Sequence, residues 1–368
     1  MNLLMDMRYA CDTFPGIGRM STALCHALAQ HPRITRLTIV SNPRQTNSRL
    51  HLPAPSAHVH HISVAAPPFS LREAWGMARI IAAQRPDWVY TPYLRLPLAP
   101  LQRNLMVTVH DAIPFTTPAP WWVRLGLRAA WVDTALRATI ITTVSSAAAH
   151  DITHQFWPSR SLHVVPNGID PRFFTPAPAL DLQALGIGGT YDLCVSSNQP
   201  HKNLHTLIEA WARAYRDTPP SAARQLVIAG QFDVHRPQPW QDAAYRQLPI
   251  VVLASPSDAT LHALYQHAAL FIYPSLAEGF GLTIAEAMAS GCAIICHDHP
   301  AMRALVADSA WVIDMHDSHL LSRTIQEAWT NDQQRQHYAH TGQLRAHQFQ
   351  WAHAADAYVT LMQQYAHT

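Results

Sequence analysis

Two carboxylates, Glu278 and Glu286, stand eight positions apart in Glu278-Gly-Phe-Gly-Leu-Thr-Ile-Ala-Glu286. The first belongs to a glycine-flanked loop and the second to a helix. Residues 268–276 read as a buried strand ending at Pro274, and residues 283–290 as a helix closed by Gly291. Gly279 and Gly281, on either side of Phe280, let the backbone approach a ligand closely. Beyond them, Leu282 and Thr283 open a helix whose unpaired N–H groups and positive dipole end suit an anion. A carboxylate beside a phosphate is poorly placed to touch it and instead accepts hydrogen bonds from hydroxyls. The pair is therefore expected on hydroxyls, of a sugar on one side and a ribose on the other. The alternative is a loop charge and a helix-surface charge.

The elements around these residues follow one pattern. Short apolar strands alternate with longer helical stretches, the signature of parallel βαβ units. In the first half, strands are expected near 2–6, 36–41, 58–64, 87–91, 105–110 and 139–144, with helices near 17–30, 71–84, 121–136 and 145–154. After Pro166-Asn-Gly168, a proline-rich passage from Pro171 to Pro178 reads as the domain linker. Strands near 191–196, 225–230, 249–253, 269–273 and 293–296 follow, with helices near 203–215, 258–267 and 283–290. Residues 318–330, 332–348 and the amphipathic Trp351–Tyr365 segment read as three further helices.

Four more segments accompany the carboxylates in a fixed order: Pro15-Gly-Ile-Gly-Arg19, His110-Asp111-Ala-Ile-Pro114, Val165-Pro-Asn-Gly-Ile-Asp170 and Pro200-His-Lys-Asn-Leu204. With Glu-x7-Glu after a Tyr-Pro-Ser strand end, this set resembles the retaining glycosyltransferases of family 4, across nearly the whole chain. The resemblance implies an α/β GT-B fold: two Rossmann-like domains facing a cleft, with the C-terminal helix crossing back to the N-terminal domain. The expected divisions are 1–172 for acceptor, 173–348 for nucleotide sugar and 349–368 for the crossover helix.

It also implies site roles. Departure of a diphosphate needs a cation, backbone N–H groups and a helix dipole. Lys202, the single lysine beside 25 arginines, is the implied cation, since lysine is a compact point charge with three donors. Gly16 is placed in the loop after the first strand, bringing N–H groups from the opposite domain. Gly16-Ile-Gly18 with Ser21 is only part of a dinucleotide fingerprint, and the other reading is a tight turn. His110 is implied to line the reacting sugar; the alternative is a strand-end histidine satisfied by backbone. Asp111 orients His110 or caps the next turn. The family places an arginine before its lysine, and a glycine where Ser196 stands. Val195-Ser-Ser-Asn-Gln-Pro-His-Lys202 has neither. His201, Asn198 or an arginine such as Arg19 is the expected substitute.

The implied reaction is retaining transfer of a hexose from a nucleotide-diphosphate sugar, such as mannose from GDP-mannose, to a lipid-linked or saccharide acceptor in surface polysaccharide synthesis. The sugar nucleotide is a substrate, and no cofactor is expected. No Asp-x-Asp occurs, which argues against the metal-dependent transferase fold, so no metal is expected. His58, His60 and His61 read as strand and surface, without a carboxylate partner. The alternatives are a nucleotide-sugar epimerase of the same shape and a non-catalytic nucleotide-sugar-binding protein.

Composition sets the remaining bounds. The chain has 368 residues, 48% hydrophobic and 14% charged, enough for two cores and unlike disordered or fibrous chains. No apolar run reaches the length of a spanning helix, and the N-terminal residues do not read as a signal peptide. A cytoplasmic location is expected, and the five cysteines form no disulfide framework. Net charge is +2, but the first 180 residues hold 16 arginines against 8 acids. That basic half also carries Trp121, Trp122, Arg124 and Arg128, followed by Trp131. They suit an acceptor pocket, a core, or peripheral contact with anionic lipid on the inner face of the plasma membrane. No zinc, aromatic-platform or basic-helix signature points to nucleic acid.

Overall fold

Two parallel sheets organise the chain. The computed structural model describes residues 1–11, 15–44, 51–66, 70–94, 104–113, 120–156, 160–217 and 224–366; residues 114–119, including Pro114, lie outside them. The chain divides into one unit of residues 1–168 with 349–368 and another of residues 169–348. The division at Gly168 precedes the proline-rich passage.

The first unit holds β1 (Asn2–Asp6), β2 (Arg36–Ser41), β3 (Val59–Ser63), β4 (Trp88–Thr91), β5 (Leu105–Thr108), β6 (Ile140–Thr143) and β7 (His163–Val164). Their spatial order is β3-β2-β1-β4-β5-β6-β7, all parallel. Helices α1 (Pro15–Gln30), α2 (Leu71–Gln84), α3 (Trp121–Arg137) and α4 (Ser146–Gln155) connect them. Strands β4, β5 and β6 are buried along their whole length and β1 along all but its first residue, as expected where helices cover both faces.

The second unit holds β8 (Thr190–Val195), β9 (Arg224–Gly230), β10 (Ile250–Ala254), β11 (Leu270–Tyr273), β12 (Ile294–His297) and β13 (Trp311–Ile313). Their order is β10-β9-β8-β11-β12-β13. Helices α5 (Leu204–Asp217), α6 (Asp258–His267), α7 (Leu282–Ala289), α8 (Pro300–Val306), α9 (Ser318–Thr330) and α10 (Asp332–Ala346) pack around it. Its core includes Trp211, Leu226, Ile228, Ile272 and Ile295. Buried Asp192 is matched by Arg224 at 2.7 Å and by the indole N–H groups of Trp211 and Trp329 at 2.8 and 2.9 Å. An uncompensated buried charge would be costly, and here every partner is supplied.

Helix α11 (Trp351–Tyr365) returns to the first unit, as the resemblance implied. It buries Tyr358, Val359 and Met362. The Tyr358 and Thr108 hydroxyls are 3.1 Å apart, the Tyr358 ring lies 5.2 Å from Tyr90, and His31 Nε2 is 2.8 Å from Asp356. The five cysteines are buried thiols. His58 and His61 donate through Nε2 to the carbonyls of Ala29 and Pro53, which accounts for them structurally. No described helix is long and apolar enough to cross a membrane.

Candidate active site

The carboxyl ends of β8 and β11 carry the chemistry. Beyond β8, residues Pro200–Lys202 form one 3-10 turn, ended by Asn203 in the left-handed region. Asn203 donates to the Met315 carbonyl at 2.9 Å, fixing where the turn stops. The backbone of Leu276, beyond β11, donates to the His201 carbonyl at 2.8 Å and joins the two loops. Between β11 and α7 the chain passes through Gly281 at φ +95°, a conformation that favours glycine. Gly281 is the N-cap and has no side chain to bond the first amides of α7, at Leu282 and Thr283. Those amides and the helix dipole form an anion-binding end.

Lys202 and Glu278 meet there. The Lys202 ammonium pairs directly with Glu278 Oε1 and lies 3.1 Å from the Tyr273 hydroxyl, which itself donates to Glu278 at 2.6 Å. The Lys202 and Glu278 side chains are only 16% and 13% exposed. Burial would raise the Glu278 pKa, but the Lys202 charge and the bonds from Lys202, Tyr273 and Ser275 hold it below the usual carboxylate value. Burial would lower the Lys202 pKa, yet Tyr273 and Glu278 raise it, so the ammonium stays charged. Burial and the Glu278 charge push the Tyr273 phenol up, keeping it protonated as a donor. The sequence marks Tyr273 only as part of the Tyr-Pro-Ser strand end, because an aromatic there reads as core.

Glu286 is buried on α7 and accepts from the Tyr265 hydroxyl at 3.0 Å. Gly279 and Phe280 lie in the connecting loop, with Phe280 buried. A folded-state pKa below the ordinary 4.5 gives Glu278 a definite linkage sign. Its contribution is present above that value and is lost as pH falls through the lowered one. The urea midpoint of the wild-type protein should therefore fall more steeply than that of Glu278→Gln between about pH 6 and about pH 3. Parallel pH profiles would count against the pair as drawn.

Three expectations need correction. Gly16 lies inside the first turn of α1, not in a loop, because Pro15 at the first helical position is pre-organised for a helix despite two following glycines. Its exposed position leaves nothing within 4 Å of an added Cβ. Asn198 is not available as a donor contact. Its amide oxygen accepts from Asp233 N at 2.8 Å, and its amide nitrogen donates to the Asp233 and Pro237 carbonyls at 2.8 and 3.4 Å. His201 carries no charge to substitute as the cation in this structure. Burial and the Lys202 charge bring its pKa down to about 4, so it is neutral near pH 7.

In the first unit, His110 follows β5. Its Nε2 donates to the Pro92 carbonyl at 2.8 Å, and burial lowers its pKa. This bond fixes a neutral tautomer with the proton on Nε2. Asp111 accepts from Ile113 N at 3.0 Å, capping the turn. Trp121 and Trp122 are 75% and 63% exposed on α3, and Arg124 and Arg128 are exposed with them. Trp131 instead is buried and stacks on Phe156 at 4.7 Å. Among the described residues, His297, Asp314 and His316 bring donor atoms close enough together for a cation. Hydrogen bonds already occupy them: Met315 N donates to His297 Nδ1 at 3.1 Å, and His316 N and Nδ1 lie 2.9 and 2.8 Å from Asp314 Oδ1.

Residues 15–173 match the model "Glycosyltransferase Family 4", and residues 188–345 match "Glycosyl transferases group 1". The chain is a family 4 glycosyltransferase. The enzyme is similar to O-antigen chain mannosyltransferase B of Escherichia coli, at 27% identity over 76% of this chain and 74% of that protein. It is also similar to O-antigen chain mannosyltransferase RfbU of Salmonella typhimurium, at 26% identity over 59% of each. Its fold is GT-B. Sucrose-phosphate synthase from Thermosynechococcus elongatus superposes with a TM-score of 0.74 at 17% identity, over 98% of both chains.

Proposed function

We propose that this glycosyltransferase moves a hexose from a nucleotide-diphosphate sugar with retention of anomeric configuration. Mannose from GDP-mannose is the favoured donor, since the relatives above are mannosyltransferases by name. The observation that carries the reading is the Lys202–Tyr273–Glu278 cluster beside the uncapped first turn of α7. A cation and open amides suit a departing diphosphate, and a fixed carboxylate suits sugar hydroxyls. Glu286 is the ribose partner in this reading, and His110 is assigned to the reacting sugar by the family resemblance alone. In front-side attack the C1–phosphate oxygen bond breaks as the acceptor oxygen bonds C1 on the same face. The acceptor's proton goes to the departing phosphate oxygen. Lys202 and the helix amides contribute to that neutralisation, and the reading calls for no metal or cofactor.

A thermal-shift screen of nucleotide sugars, followed by NMR of the product anomer, tests this. An α-linked product from an α-linked donor is expected. An epimerised donor without transfer, or an inverted product, would overturn it. Glu286→Gln should raise KM for the donor about tenfold by weakening a charge-assisted bond, with kcat little changed. A fall in kcat at unchanged KM would remove Glu286 from the ribose.

The acceptor is proposed to be lipid-linked or saccharide in surface polysaccharide synthesis, reached by peripheral contact with anionic membrane. Trp121, Trp122 and Leu125 are exposed beside Arg124 and Arg128 on α3, which supports that contact. The enzyme should sediment with anionic but not neutral vesicles, and less so in high salt. No sedimentation with anionic vesicles at low salt would favour a soluble acceptor.

A further inference from the structure

The proposed donor site is short of positive charge. Lys202 is the chain's single lysine, and its ammonium is already paired with the Glu278 carboxylate. The pair is neutral as a unit, while a nucleoside diphosphate carries more than one negative charge. His201 adds none, being neutral near pH 7. The amides of α7 contribute partial charge, but only about half an elementary charge in all.

A second loop is tied to this place. Asn198 belongs to the stretch between β8 and Lys202 and is only 7% exposed. Both ends of its amide are committed to residues 233–237, which follow β9: it accepts from Asp233 N and donates to the Asp233 and Pro237 carbonyls. The same segment is internally closed, since Arg236 N donates to the Asp233 carbonyl at 3.1 Å and His235 N to Asp233 Oδ1 at 2.9 Å. A turn with no task beyond connecting β9 to β10 needs no buried amide from the lysine loop to hold it.

That turn presents Arg236. Its Nε donates to Asp233 Oδ2 at 3.2 Å, which sets the direction of the guanidinium. Its two terminal nitrogens have no partner among the described residues, and the side chain is 37% exposed. A guanidinium oriented through Nε presents its outer N–H groups as a fork, the geometry that suits phosphate oxygens. Its charge reaches the lysine loop, because Arg236 contributes to lowering the His201 pKa.

We infer that Arg236, on the turn that Asn198 clamps to the lysine loop, is a donor-binding residue that supplies the second cation for the diphosphate. The lysine loop thus carries an asparagine that recruits an arginine from the neighbouring turn. Asn198 is a positioning residue, acting through the turn and not by contact. The inference rests on the donor reading above.

Isothermal titration of the whole chain with GDP, UDP and ADP identifies the nucleotide bound most tightly, and its nucleoside serves as the uncharged control. Arg236→Gln should weaken the diphosphate about tenfold to a hundredfold while leaving the nucleoside unchanged, the loss expected for a charge-assisted bond. Arg236→Lys should recover part of the loss. Asn198→Ala should weaken the diphosphate although Arg236 is intact, and adding it to Arg236→Gln should cost little more. A circular-dichroism melt of Arg236→Gln should match the wild type. If Arg236→Gln binds diphosphate like the wild type, or loses diphosphate and nucleoside equally, the inference is overturned and the donor site stands. If the wild-type protein binds none of the three diphosphates, the donor reading fails and this inference with it.

Discussion

Lys202→Ala should abolish most transfer and also loosen the second unit. The ammonium serves two partners. Toward a departing diphosphate it is worth about 2–4 kcal/mol in the transition state, a fall in kcat of roughly thirtyfold to a thousandfold. Toward Glu278 it compensates a carboxylate that is 13% exposed and otherwise bonded by Tyr273. Removing one member of such a pair costs about 3 kcal/mol, because the other charge stays buried. The two effects separate in a second variant. Lys202→Met combined with Glu278→Gln leaves no uncompensated charge, so it should regain melting temperature without regaining turnover. Turnover near normal in Lys202→Ala would sink its assignment as the diphosphate cation. Full recovery of activity in the double variant would reduce the pair to a structural one.

Gly230→Ala should be the more disruptive change to the fold. Gly230 ends β9 and Ser196 follows β8, its paired neighbour. A Cβ at Gly230 would stand 1.8 Å from the Ser196 carbonyl oxygen and 2.8 Å from its carbon. Both are backbone atoms and neither can swing aside. Ser196 N is bonded to the Ala229 carbonyl at 2.9 Å, and Ser255 N to the Gly230 carbonyl at 2.6 Å, so the strands cannot part cheaply. The cost should exceed about 4 kcal/mol, the range of severe backbone strain and core disruption. Ser196 leads directly into the lysine loop, so any folded population should also lose nucleotide binding. A melting temperature within a degree or two of wild type, with normal binding, would show that the strands do not approach this closely.

The fold was legible where elements are long. The alternation of apolar strand and amphipathic helix was readable because each segment runs through several periods. β7 has two residues, β13 has three and α8 has seven, too few for any period to show. The same limit applies to chemistry. Glu278, Glu286 and Lys202 announce themselves because ionisable groups among glycines and apolar residues are conspicuous. Tyr273 does not, since nothing in a strand sequence separates an aromatic that packs from one that also donates. The link between Asn198 and the turn that carries Arg236 is out of reach for another reason. Their relation is made of three hydrogen bonds between loops distant in sequence, and only the parallel pairing of β8 with β9 brings those loops together. The charge of His201 is not legible in the sequence, because a charge state depends on burial and on neighbours, and neither is written in Pro-His-Lys.

The returning helix α11 sets an order of events at the ribosome. Residues 1–168 emerge first, but the side chains that meet Tyr90, Thr108 and His31 belong to residues 356 and 358. At about 5–20 residues per second, the nascent first unit waits roughly 10–40 s for them while the second unit is made. Throughout that interval the seat of Tyr358, Val359 and Met362 is open to solvent or to a chaperone. Of the two units, the one translated earlier is therefore the one completed later, and a chain stalled after residue 348 would expose apolar surface that α11 covers in the folded unit.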